Sequence, residues 1–562
     1  MLRPLKSAFV TLLLIVTLIP QGLLATPKLG AIASAHPLAT EAGFEILAAG
    51  GNAFDAAVAV SAVLGVVEPS SSGFGGGGFW LIHRAEDNYQ AMIDGRETAP
   101  AAAHRDMYLD DDGNFQRLSS LNGPLAAGIP GLPAALVELT ENYGKLSLNQ
   151  NLAAAERIAR EGFEVDAHYL KMAGFRHEAL LASPAAAAIF LDNGNPPTAG
   201  FKLTQTDLAA VIKAMQRKGR DGFYAGKVAK KLVNGVTAAG GIWTVDDLSE
   251  YRVKTRDVVT GSYHNLKIVT APPPSSGGVA LVTALNILEP FQLHEQPPIA
   301  RKHLIIEAMR RAYRDRAQYL GDPDFVDVPH NLLESKAYAA GLRAGIRTDR
   351  ATSSDQLPGV TPDYEGTDTT HFSVMDVAGN RVAGTLSINI PFGAAFVSPG
   401  TGVLLNDEMD DFSAKEGEPN TYGLVGAAAN AIAPYKRPLS SMTPTFVERG
   451  NDVAILGTPG GSRIISMVLL GLLEFAEGAD DPTAWVSTPR YHHQYLPDEV
   501  QFEKGGLDAD TQAALTELGH ELKERQRNYG NMQAIFSSVD SNGNPQMQAA
   551  ADPRRKGLAE VR

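Results

Sequence analysis

The sequence predicts a mixed α and β globular fold, on three observations. Helical and strand periodicities alternate along the chain. Hydrophobic residues make up 44% and charged residues 20% of it, which excludes disorder, collagen and coiled coil as the main class. No internal repeat is present, and 562 residues at roughly 100–200 per domain leave room for two or more domains or one large one. A chain of this length buries about three quarters of its unfolded surface, so size alone demands no metal or disulfide staple.

Residues 1–25 stand apart from the fold. Arg3 and Lys6 form a basic start, Ala8 to Ile19 is apolar, Pro20 and Gly22 break the run, and Leu23-Leu24-Ala25 ends on a small residue. This reads as a secretory signal cleaved near Ala25, the alternative being an uncleaved anchor; the run is short for a membrane span of ~20 residues. No later stretch is long and apolar enough to cross a bilayer. The expectation is an exported protein, periplasmic or secreted.

Ala39 to Leu47 and Phe54 to Leu64 read as Ala-rich helices separated by Gly50-Gly51, and Pro69 to Gly73 interrupts the pattern. Phe79 to Ile82 reads as a buried strand. Lys302 to Tyr319 reads as an amphipathic helix with Leu304, Ile305, Ala308, Met309 and Ala312 on one stripe. Thr352 to Asp368 is polar, with Pro358-Gly359 and Pro362, and reads as an exposed loop or linker. Thr369 to Asp376 and Asn380 to Ser387 then read as two strands flanking Val377-Ala378-Gly379. A three-residue loop ending in Gly suits a type I turn with Gly in the left-handed position. Counting back from it sets Asp376 opposite Asn380 and Thr369 opposite Ser387, about 5 Å apart at Cβ. Two hydroxyls therefore meet where a loop becomes a strand.

Composition excludes several functions. With 49 basic against 63 acidic residues, net charge −14, the chain is a poor binder of nucleic acid or anionic membranes. The absence of cysteine excludes disulfides, zinc–thiolate and iron–sulfur sites and a Cys nucleophile. The chain also lacks a G-x-S-x-G elbow, an HExxH pair and a Walker lysine motif. Gly75 to Gly78 follows three serines with no lysine after it, so a tight helix-to-strand connection is favoured over a phosphate cradle. His492-His493 has no ligand partner at metal spacing, which favours a rim or packing role. Pro272 to Gly278 reads as a rigid loop.

The remaining features fall in polar segments: Asp94-Gly95-Arg96-Glu97, Thr369-Thr370-His371, Asn406 to Phe412, Lys436 to Met442, and Gly457-Thr458-Pro459-Gly460-Gly461-Ser462. In order and approximate spacing, from about Gly30 to the last strands, the sequence resembles the γ-glutamyltranspeptidase family. The resemblance implies an α+β N-terminal-nucleophile (Ntn) hydrolase with a four-layer αββα sandwich. It implies a precursor that cuts itself between Asp368 and Thr369 into a large subunit, 26–368 after signal removal, and a small subunit, 369–562. An internal Thr hydroxyl is a weak nucleophile. A freed Thr369 carries its own base, an α-amine with an unperturbed pKa near 8.

By the same resemblance, the backbone N–H groups of Gly460 and Gly461 receive the oxyanion. Arg96, with Ser440 and Ser441, takes the substrate α-carboxylate, which a planar guanidinium fork suits. Glu408, Asp411 and Asn389 take the α-ammonium. Ser387 stands where the family usually has Thr, keeping the hydroxyl but losing a methyl. Ser413 to Pro434 resembles the family's lid loop, with Tyr422 as its gating aromatic. The implied substrates are glutathione and other γ-glutamyl compounds, with amino acids or dipeptides as acceptors, no cofactor or metal, no nucleic acid, and a heterodimer of the chain's own two pieces. Two other readings compete: a homologous acylase acting on β-lactam side chains or poly-γ-glutamate, and a non-catalytic γ-glutamyl peptide-binding protein.

Overall fold

The structure is a computed structural model, and it describes residues 29–357, 369–415, 418–541, 543 and 545–562. The expected signal segment 1–25, most of the polar loop and Asp368 lie outside these residues.

Two antiparallel sheets form the centre. The first has seven strands in the order Leu558–Val561, Gly30–Ser34, Thr370–Asp376, Arg381–Ser387, Gly77–Arg84, Tyr89–Gly95, Lys254–Arg256. The second has six, ordered Pro545–Ala551, Gln533–Val539, Asp452–Gly457, Thr445–Arg449, Leu266–Thr270, Val259–Tyr263. Side chains alternate across each strand and divide the core accordingly. Ile32, Trp80, Ile82, Phe372 and Val374 face an outer helical layer containing Pro37–Ala48, Ala53–Val67 and Leu132–Tyr143. Ala31, Phe79, Leu81 and Met375 face the second sheet, whose other side carries Gly277–Leu288, Pro298–Tyr319 and Ile464–Ala476. The result is the expected four-layer αββα sandwich.

The strand pair expected after position 368 forms, in the expected register. Leu386 lies opposite Thr370 and Arg381 opposite Met375. Gly379 occupies the turn at φ +89°, left-handed as anticipated. Regular pairing begins at Thr370, which leaves Thr369 at the strand mouth. The strand docks on the helix behind it, because Asp376 Oδ2 accepts from Ala53 N at 3.0 Å, beside the Asn52/Asp55 capping box. The glycine run is a close-packing device: a Cβ on Gly76 would strike the carbonyl oxygen of Ser387. Strands from before and after position 368 are interleaved within the first sheet, so neither part of the chain forms that sheet alone.

The helix Pro298–Tyr319 departs from its amphipathic pattern. Its apolar stripe is buried as expected, but so are Glu307, Arg310, Arg311, Asp315 and Arg316 on the other side. Paired charges satisfy that second face: Glu307 accepts from Arg311 at 2.6 Å and from Arg310 at 3.3 Å. His492 and His493 are fully buried rather than on a rim, hydrogen-bonded to Ser466 and to Asp498.

Candidate active site

The mouth between the sheets collects residues from five distant segments. A small cleft of about 20 Å³ is lined by Thr369, Ser387, Asn389, Arg96, Asp411, Tyr422, Ser440, Ser441 and Gly461, with Leu424, Met442 and Ile464 as apolar walls. Nine of the residues singled out from the sequence thus share one small space. Two do not line it. Glu408 lies one hydrogen bond behind, on Arg96. Gly460 faces a neighbouring cavity of about 670 Å³ that also holds Arg463, Arg525 and Arg554.

Each wall follows from local structure. Thr369 and Ser387 sit at the open end of the hairpin, and Ser387 Oγ accepts from Asn389 N at 2.8 Å. Asn389 adopts φ +76°, a conformation Asn tolerates and most side chains avoid. Gly461 at φ +57° opens a 3-10 turn that runs into the helix Ile464–Ala476, so its amide lies at the positive end of a helical segment. The Tyr422 ring packs where a Cβ on Gly461 would stand, and its hydroxyl donates to Asn389 O at 2.6 Å. The segment expected as a loop over Pro272 to Gly278 enters the helix Gly277–Leu288 at its last two residues, and it braces the serine segment: Ser440 N donates to Pro274 O at 2.8 Å, and Ser276 Oγ donates to Ser440 O at 2.6 Å.

Charge is concentrated here and almost dry. Arg96 is 1% exposed. Its guanidinium donates to Glu408 and, at 2.5 Å, to Asp411, while Asp94 Oδ1 accepts from its backbone N–H at 2.9 Å. Burial alone would lower the Arg96 pKa; Glu408, Asp411 and Glu97 outweigh it and hold the cation firmly charged. Burial pushes Glu408 up to about 7, against the pull of Arg96. Glu97, fully buried and beside Glu408, is driven well above the carboxylate range, first by that burial. Asp410 rises to about 6 for the same reason.

Two acceptors stand ready for a cation. Glu408 Oε1 and Asn389 Oδ1 are buried and receive no hydrogen bond among the described residues. Ser441 Oγ accepts from Arg316 at 3.2 Å, so that hydroxyl is held in place with its own proton free to point elsewhere. The cleft therefore offers a threonine hydroxyl, a helix-end amide, a guanidinium and a set of carboxylates within one small space. That is the equipment for acyl transfer from a substrate end bearing both charges.

Sequence reasoning missed Glu97, Arg316 and Gln494. Glu97 stands next to Arg96, but nothing local in the sequence distinguishes it from a solvated acid. Arg316 sits on the polar side of a helix that looked half-exposed. Gln494 follows the histidine pair and carries no motif.

Comparison with known proteins finds similarity along nearly the whole chain. The family model described as Gamma-glutamyltranspeptidase matches residues 39–561. The chain is 42% identical over 544 residues to a glutathione hydrolase proenzyme of Pseudomonas sp. (strain A14), covering 94% of each chain. It is 41% identical over 532 residues to the glutathione hydrolase proenzyme of Escherichia coli (strain K12), covering 94% of this chain and 90% of that one. Among solved structures it superposes on a cephalosporin acylase from Bacillus halodurans with TM-score 0.82 at 26% identity, over 97% of this chain and 99% of the other. It superposes on the Helicobacter pylori gamma-glutamyltranspeptidase with TM-score 0.58 at 37% identity, over 60% of this chain and 97% of that chain.

Proposed function

The chain belongs to the gamma-glutamyltranspeptidase family, and on that premise we propose that it is an exported γ-glutamyltransferase and glutathione hydrolase whose nucleophile is Thr369. The observation that carries the assignment of roles is the single cleft in which Thr369, Arg96, Asn389, Asp411, Ser440, Ser441 and Gly461 meet.

The chain cuts itself between Asp368 and Thr369, and the new α-amine of Thr369 takes the proton of its own hydroxyl. The Thr369 oxygen attacks the γ-glutamyl carbonyl carbon. The developing oxyanion is received by the amides of Gly460 and Gly461; losing one such donor costs about 10²–10³-fold in rate. Collapse expels the amine half of the substrate, protonated by the Thr369 ammonium, and leaves a γ-glutamyl ester on Thr369. Water resolves the ester to glutamate, or the amine of an amino acid or dipeptide takes the acyl group.

The substrate's α-carboxylate and α-ammonium are neutral in sum. They enter a site whose Arg96 and acids already pair with one another, so ion pairs are exchanged rather than charge added. A glutaryl group lacks the ammonium and leaves the acceptors of Glu408 and Asn389 unfilled, which favours the γ-glutamyl reading over the acylase one. Comparing γ-glutamyl with glutaryl anilide decides between them. Export rests on the segment 1–25; among the described residues no helix is long and apolar enough to cross a membrane.

The deciding experiment is a denaturing gel of purified protein with N-terminal sequencing of the smaller band. Two bands are expected, the smaller beginning Thr-Thr-His-Phe. The solved H. pylori chain matches 60% of this chain, close to the share that residues 26–368 form. Because strands of both pieces are interleaved in the first sheet, the two bands are expected to co-elute as one species without denaturant. Separation on a native column sinks the interleaved heterodimer.

A pH prediction follows from Glu408. Its carboxylate form binds the donor ammonium, and burial sets its titration at about 7 in the free enzyme. As pH falls through that value the acid becomes neutral, so kcat/KM for the donor is expected to fall with it. In Glu408→Gln that contribution to the acid limb disappears, leaving only the limb of the Thr369 amine. An unchanged pH profile in Glu408→Gln removes the ammonium-binding role.

A further inference from the structure

The lid residues and the oxyanion loop are joined by one buried side chain that neither the sequence motifs nor the reaction scheme employs. Gln494 follows the buried histidine pair and is itself 5% exposed. Its Nε2 donates to three carbonyl oxygens: Tyr422 O at 3.2 Å, Gly423 O at 3.2 Å and Leu496 O at 3.3 Å. Its Oε1 accepts from Ser462 Oγ at 2.7 Å and faces His492 Nε2 at 2.9 Å. The three carbonyls admit only one orientation of the amide, since a flipped Gln would set oxygen against oxygen. In that orientation His492 carries its proton on Nε2, and Ser466 Oγ, which donates to Arg463 O at 3.0 Å, lies 2.7 Å from its Nδ1.

Both ends of this link touch the chemistry. Tyr422 and Gly423 belong to the lid, and the Tyr422 ring lies on Gly461. Ser462 is the residue after Gly461, and its carbonyl accepts from the Tyr313 hydroxyl on the neighbouring helix. Movement of the lid backbone away from the cleft therefore breaks donors on one side of the Gln494 amide while the other side still holds the oxyanion loop.

We propose that Gln494 is a positioning residue that latches the lid backbone at Tyr422–Gly423 to the oxyanion loop at Ser462, so that the oxyanion amides are set in place when the lid is shut. The inference rests on the oxyanion role proposed above and on the resemblance of Ser413 to Pro434 to the family's lid loop. A latched lid excludes water from the γ-glutamyl ester and leaves it to the incoming amine. The latch thus governs the split between hydrolysis and transfer as well as the rate.

The test compares wild type, Gln494→Met and Ser462→Ala with γ-glutamyl anilide as donor and glycylglycine as acceptor, after maturation into two bands is confirmed by gel. Gln494→Met removes both arms. Its kcat is expected to fall about tenfold and its ratio of transfer to hydrolysis to fall severalfold, while the donor KM changes less than twofold because Arg96 and the acids are untouched. Ser462→Ala removes only the oxyanion arm, so kcat falls and the transfer ratio stays near wild type. A matured Gln494→Met with kcat and transfer ratio within twofold of wild type overturns the latch. So does a fall in both variants of thermal midpoint alone. Should Gln494→Met fail to mature, Ser462→Ala decides: a lowered kcat at an unchanged thermal midpoint supports the proposal, and an unchanged kcat overturns it. An inert wild type is a different result, since it removes the functional reading on which the latch rests.

Discussion

Thr369→Ala is expected to remain one continuous chain and to turn over no γ-glutamyl anilide, a loss of about 10⁴-fold or more. Two separate steps need the same oxygen. Self-cleavage requires the hydroxyl to attack the preceding carbonyl, and turnover requires it to attack the substrate. Alanine is the smallest change that removes the oxygen, since only the hydroxyl and one methyl are lost from a buried position at the strand mouth. Thr369→Ser keeps the oxygen and is expected to mature and to act, more slowly where the methyl orients the nucleophile. A denaturing gel and an anilide assay on the three proteins settle the matter. Two bands from Thr369→Ala would end the N-terminal-nucleophile assignment.

Changing Arg96 is expected to have the next largest effect. Its guanidinium serves Glu408 and Asp411 at once and approaches Glu97 at 3.5 Å, all with little or no access to water. Arg96→Ala abandons these acids without a counter-charge. Breaking a buried pair this way costs about 3–5 kcal/mol, and the acids will meet part of that by taking up protons. The donor's carboxylate loses its partner as well, so kcat/KM is expected to fall about 10²–10⁴-fold, with a rise in donor KM. Arg96→Lys separates the two contributions. It preserves a charge for the acids but replaces a planar fork by a point charge. Stability should largely return in Arg96→Lys while donor KM stays raised. A lysine variant with wild-type KM would show that Arg96 holds the acids together and does not bind the donor.

Much of the site was readable from the chain. The Gly379 turn set the register that brings Thr369 level with Ser387, since a strand has a period of two and a hairpin turn admits few alternatives. The polar runs at Asn406 to Phe412 and Lys436 to Met442 marked loops, and those loops supply cleft walls. What escaped was the polar half of the helix Pro298–Tyr319. Arg with an occasional Glu or Asp on a helix face ordinarily means solvent, and nothing within the helix reveals that other parts of the chain cover it. Arg316 was lost for that reason. Gln494 was missed because an amide has no charge and no period. Its importance lies in the two distant segments, Tyr422–Gly423 and Ser462, that converge on it.

The division has a physical basis. Properties that act over a few residues, such as strand alternation, the left-handed glycine, the poor reactivity of an internal threonine and the absence of any thiol, are already decided by the order of residues. The state of the charges is different. Arg96 and Glu408 are 312 positions apart, and the Glu408 titration near 7 arises from the water they both lose when the two sheets and their helices close over them. Desolvation and Coulomb energy depend on depth and distance in space. Only the assembled layers set those, and with them which acid is ionised, which amide points into the cleft, and how the lid is tied to the loop beneath it.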